Sequence, residues 1–216
     1  MIDIDEYIAK NSKDINEGDS HAACAMIKLS NARLITKFVQ DFLFLNDKEK
    51  SKNYWNCYLE SIFNYKTTTT ALEKRYLNFS KKVIFDFRNV IEPVSWFYNI
   101  NESYPEPIKF IQNKNRTSDE LSQDKTVGKI LFEKLAKSYP TYQTFADEYK
   151  IPLFHVKNML YKRTYNSDGK IEIRYKTFVT KSIIKLLREE IHPDYWFIFP
   201  EELSKEDPAY KKIFND

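Results

Sequence analysis

Thr144-Phe145-Ala146-Asp147-Glu148-Tyr149-Lys150-Ile151-Pro152-Leu153-Phe154-His155-Val156-Lys157-Asn158-Met159-Leu160 is the most sharply punctuated stretch of the 216-residue chain. A small residue, Ala146, follows Phe145, and apolar residues recur three, five, ten and thirteen positions after it, at Tyr149, Ile151, Val156 and Met159. That spacing suits two short helices that cross closely at the alanine and bury a shared apolar side. Pro140 stops whatever helix precedes, and Thr141 can cap the next one. The pattern predicts a helix over Tyr142–Tyr149, a turn at Lys150-Ile151-Pro152 and a helix over Leu153–Tyr161.

Working outward, Val127–Lys137 reads as an amphipathic helix carrying Ile130, Leu131, Lys134 and Leu135. Beyond the central pair, two β-prone runs, Tyr161–Tyr165 and Lys170–Tyr175, flank Asn166-Ser167-Asp168-Gly169, a strong hairpin signal. A last helix is expected over about Phe178–Ile191, ended by Pro193, and the aromatic run Tyr195–Phe199 should pack back on a domain. Towards the N-terminus, periodic apolar residues predict helices over about 20–45, 54–65 and from 70 onward, although 82–87 also alternates as a strand would. Residues 101–125, with Pro105, Pro107 and a polar run from Gln112 to Ser122, read as a linker. The expected fold is therefore mainly α. A helical dimerisation or scaffold domain spans 1–100, and a C-terminal domain with a short β-hairpin and an acidic tail spans 126–216. No internal repeat and no low-complexity tract stands out.

Charge is distributed unevenly. Residues 1–125 carry 18 Lys+Arg and 18 Asp+Glu, residues 126–188 carry 13 and 5, and residues 189–216 carry 3 and 8. A basic segment between a neutral domain and an acidic tail is what a module facing a polyanion would show, and also what a solvated lysine-rich surface would show. With 3 Gly in the whole chain, a Gly-rich phosphate loop and a turn-dense β-sandwich are both disfavoured. Cys24 and Cys57 sit among apolar neighbours and read as buried thiols of a reducing cytosol. The acidic start lacks the features of a secretory signal, and no apolar run is long enough for a bilayer, so a cytoplasmic protein is expected.

The stretch 144–160 resembles the helix-turn-helix family, and a hairpin directly after the second helix is winged-helix order. The resemblance covers about Val127–Ile191, under a third of the chain, and departs from the family at Lys150, where glycine is usual. An ordinary αα-hairpin would share the same core logic. The resemblance implies sequence-specific binding of double-stranded DNA. The outward side of the second helix would present His155, Lys157, Asn158, Tyr161 and Lys162 to the major groove, where Asn can pair with adenine and Lys with guanine or phosphate. Arg163, Lys170 and Arg174 on the wing would touch the backbone or minor groove, and Thr141, Gln143 and Thr144 would meet a phosphate at the start of the first helix. It further implies a homodimer acting as a transcriptional repressor, without a cofactor. The chain is also similar to the DNA-binding part of phage homing endonucleases, such as one domesticated as a repressor in a mobile element.

Other classes find less support. His21-x-x-Cys24, Cys57, His155 and His192 fit no zinc-finger spacing, so no metal site is expected. Asp168, Glu172 and Arg174 faintly follow the carboxylate-plus-base pattern of a metal-dependent nuclease, which keeps a site-specific endonuclease as the alternative. An RNA reader would want exposed aromatics on a sheet, whereas these aromatics fall at core spacing. An inhibitor that binds a protein partner is the third option.

Overall fold

Thr126, Thr141 and Thr180 each adopt an extended backbone and accept, through the hydroxyl, the amide three residues on, so that helices begin at Val127, Tyr142 and Lys181. Each cap satisfies a donor the helix itself leaves unpaired and contributes about 1 kcal/mol. The structure is a computed structural model that describes residues 20–22, 24–25, 81–113, 116, 120–121, 126–160, 163–167, 170–174 and 180–214; residues 82, 163–167 and 170–174 are described for their backbone alone. The chain divides after Glu106 into unit 1, residues 1–106, and unit 2, residues 107–216. The described part is mainly helical. The helices expected over 20–45, 54–65 and 70–80 lie almost wholly outside the described residues.

In unit 1, α1 (Lys81–Phe87) settles the helix-or-strand ambiguity of 82–87 in favour of helix, burying Val83, Ile84 and Phe87. Pro93 then opens a 3-10 turn, Pro93–Trp96, where its missing N–H costs nothing. Ser20 bridges to Asn99, and the ring of His21 donates through Nε2 to the carbonyl of Glu102 at 2.8 Å. Cys24 is buried, as expected, while Cys57 lies outside the described residues.

Unit 2 contains α2 (Val127–Lys137), α3 (Tyr142–Glu148), α4 (Leu153–Leu160), β1 (Arg163–Ser167), β2 (Lys170–Arg174), α5 (Lys181–Leu186) and α6 (Pro208–Phe214). The β1 and β2 backbones pair antiparallel, from Arg163 opposite Arg174 to Ser167 opposite Lys170. The last long helix is shorter than the sequence predicts. It ends at Leu186, with the Leu187 amide bonding the Ile183 carbonyl, and the chain then runs through turns to Pro193, which holds His192 in extended backbone. The aromatic run is the centre of the unit: Trp196, Phe197, Ile198 and Phe199 are buried, in and just after a 3-10 turn, Pro193–Phe197, that packs on α2. Phe132 of α2 links this run to α3, its ring lying 6.2 Å from Trp196 and 5.5 Å from Phe145.

Within the stretch 101–125 read from the sequence as linker, Ile108, Asn113 and Arg116 are tied to the tail. The Asp194 carboxylate accepts the amide of Ile108 and that of Glu202 the amide of Asn113, both at 2.8 Å. Arg116 lies 4.4 Å above the Phe199 ring and bonds Glu201. Buried carboxylates need such donors, and partners some ninety residues away leave no mark in the local composition of this segment.

The approach of α2 to the aromatic run depends on Gly128. A Cβ there would lie 2.7 Å from the Trp196 ring and 2.9 Å from its backbone nitrogen, and the backbone cannot swing aside. Gly128→Ala gains about 1 kcal/mol of helix propensity but overpacks a dense core. We expect a net loss of about 1–2 kcal/mol in urea unfolding; a more stable variant would show that the contact is not made.

Candidate nucleic-acid interface

The helix pair α3–α4 is built by the residues that the spacing singles out. Phe145, Ala146, Ile151, Val156 and Met159 are all buried, and Tyr149 is half-buried. Phe145 sits among rings, with Tyr139 at 5.3 Å and Tyr149 at 5.0 Å. Burial, and after it the hydrogen bond shared with the Tyr139 hydroxyl, push the Tyr149 phenol above its usual range, so it stays neutral in ordinary buffers.

Lys150 adopts the left-handed conformation, φ 53°, at the position where the family prefers glycine. Around it the amide of Ile151 reaches back to the Ala146 carbonyl at 2.8 Å and that of Lys150 to Asp147 at 3.3 Å. This is the paired Schellman closure of a helix C-terminus, with buried Ile151 and Ala146 as its apolar partners and Pro152 just beyond to prevent continuation. The chain reverses at once and α4 begins at Leu153.

With Val156 and Met159 turned inward, α4 exposes Phe154, His155 and Lys157 and leaves Asn158 half-buried. Among the described residues Lys157 forms no ion pair. Phe154, which sequence reasoning passed over, is 57% exposed and stacks edge-on to His155 at 5.6 Å. Its position was legible: Phe154, Asn158 and Tyr161 fall at i, i+4 and i+7, one helix face opposite Val156.

The other expected site residues stand as follows. The Thr141 and Thr144 hydroxyls bond each other and each other's backbone in a capping box, so their first task is to start α3. Gln143 donates its amide to Asp147 at 2.7 Å. Tyr161 and Lys162 lie outside the described residues. Arg163, Lys170 and Arg174 occupy paired register positions of β1 and β2, Arg163 directly opposite Arg174. Of the nuclease-like trio, Asp168 lies outside the described residues and Glu172 is described for its backbone alone. Among the described residues no group of three or more His, Cys, Asp or Glu is placed to hold a metal ion, and no helix is long and apolar enough to cross a membrane.

Compared with known proteins, the chain matches no family model, no curated protein and no solved structure.

The left-handed turn can be tested directly. A non-glycine residue in that conformation is disfavoured by about 1 kcal/mol. Lys150→Gly should therefore leave stability unchanged or raise it by up to about 1 kcal/mol, whereas β-branched Lys150→Ile should lower it by about 1–2 kcal/mol in thermal unfolding. Equal stability of the two variants would contradict the turn.

Proposed function

We propose that unit 2 is a sequence-specific reader of double-stranded DNA, with α4 entering the major groove and the β1–β2 hairpin acting as a wing on the backbone, and that the protein represses transcription by occupying its site. The observation that carries this reading is the outward side of α4: His155, Lys157 and Phe154 exposed beside Asn158, on a helix held up by Ala146 and the turn at Lys150. Asparagine can bond adenine in two places, lysine can reach guanine or phosphate, and an exposed phenyl ring suits a thymine methyl. Further support comes from charge. The segment 126–188 carries 13 basic residues against 5 acidic ones. The hairpin register sets two arginines opposite each other, an arrangement that is unfavourable unless an anion lies between or beside them.

Selection from a random duplex library with the full chain supplies the test. An enriched sequence should emerge, bound with an affinity that falls steeply with salt, at a log–log slope of several units, as phosphates release their counterions. Lys157→Ala together with Asn158→Ala should weaken binding to that duplex by about tenfold or more, one good base contact corresponding to about 1–3 kcal/mol, with the melting temperature unchanged. A flat salt response, or full affinity in the double variant, would refute the assignment of α4.

A further inference from the structure

The two units, each taken by itself, carry the same local structure one hundred residues apart, against the expectation that the chain holds no repeat. α1 (Lys81–Phe87) and α5 (Lys181–Leu186) lie one hundred residues apart. Just past each helix an isoleucine amide returns to the chain, Ile91 to the Phe87 carbonyl at 2.9 Å and Ile191 to the Leu187 carbonyl at 2.8 Å. The residue before each proline has nearly one conformation, φ −58° and ψ 130° at Glu92, φ −52° and ψ 131° at His192. Pro93 and Pro193 both open a 3-10 turn that buries a tryptophan, Trp96 or Trp196. Beyond the turn the Glu102 carboxylate accepts the amide of Asn99, and the Glu202 carboxylate that of Phe199, each at 2.9 Å. The helix that meets each turn docks in the same way: the His21 amide bonds the Tyr98 carbonyl at 3.3 Å, and the Val127 amide bonds the Ile198 carbonyl at 2.9 Å.

The sequence agrees once this register is known. Lys81, Ile84, Arg88 and Ile91 recur as Lys181, Ile184, Arg188 and Ile191, and Pro93, Trp96, Phe97 and Glu102 recur as Pro193, Trp196, Phe197 and Glu202. Upstream the register slips by one residue, and Glu73-x-Arg75-Tyr76-x-x-Phe79 matches Glu172-x-Arg174-Tyr175-x-x-Phe178, 99 positions on. Arg174 belongs to the hairpin assigned to the wing, so the likeness reaches the part of unit 2 that would touch DNA. Residues 66–88 are also basic, with six Lys or Arg against two Asp or Glu. Packing alone does not require the same glutamate-to-amide bond, the same proline and the same tryptophan one hundred residues apart, and descent from one module would account for them.

We propose that the chain is a tandem of two copies of one module, and that each copy engages its own stretch of duplex DNA, so that a single chain occupies a bipartite site. The DNA half of this proposal rests on the reading of unit 2 given above. A two-fold dimer reads an inverted repeat because its symmetry demands one. Two diverged copies on one chain obey no such symmetry, and their site is not a palindrome. Tethering makes the second contact intramolecular, which multiplies affinity without any further contact.

The test uses the full chain on its selected duplex, with native mass spectrometry for stoichiometry and hydroxyl-radical footprinting for extent. One chain per duplex and two protected stretches of unrelated sequence are expected. In the Lys157→Ala, Asn158→Ala variant one stretch should lose protection while the other persists at raised protein concentration. Two chains on a palindrome, or loss of all protection together in the variant, would overturn the tandem proposal and leave unit 2 a DNA reader. If no duplex is enriched at all, both readings fall.

Discussion

The contact between Gly128 and Trp196 is the constraint on which unit 2 depends. Trp196 can lie on α2 only because position 128 offers no side chain, and the close approach lets the buried run from Trp196 to Phe199 become the centre of the unit. Each of those large side chains contributes on the order of 1.5–3 kcal/mol by leaving water. The tail of the chain is therefore no appendage. It carries the surface against which α2 packs, and the two carboxylates, Asp194 and Glu202, that hold residues 108–113 in place.

From that centre the support for α4 runs through a chain of rings. Phe132 stands between Trp196 and Phe145, and Phe145 fills the crossing beside Ala146. The reversal between the helices is then closed by backbone alone, through the Ile151 and Lys150 amides, with Lys150 bearing the strain of a left-handed residue. A helix positioned this way commits its inward side to the core and leaves its outward side exposed. That division of labour is what a groove-reading helix needs.

The duplicated turn changes what the N-terminal half is for. Read as a neutral helical domain, it invites the role of a scaffold that brings two chains together. Read as a second copy of the module, it makes partnership between chains unnecessary, because two modules already share one backbone. The neutral total for residues 1–125 conceals this, since the acidic start offsets a basic stretch at 66–88.

Local patterns determined much by themselves: the bounds of α2, the crossing at Ala146, the cap at Thr141, the turn at Lys150, and the inward set on α4. These depend on neighbours within a few residues, and periodicity, capping and turn preference are local rules. Tertiary structure alone decided the rest. Ile108, Asn113 and Arg116 look like linker residues because their partners, Asp194, Glu202 and Glu201, lie far along the chain. The repeat stayed hidden because its identities fall singly at buried, capping and turn positions, with substitutions between them. It is the repeated hydrogen bonds, and not any run of letters, that set the hundred-residue register.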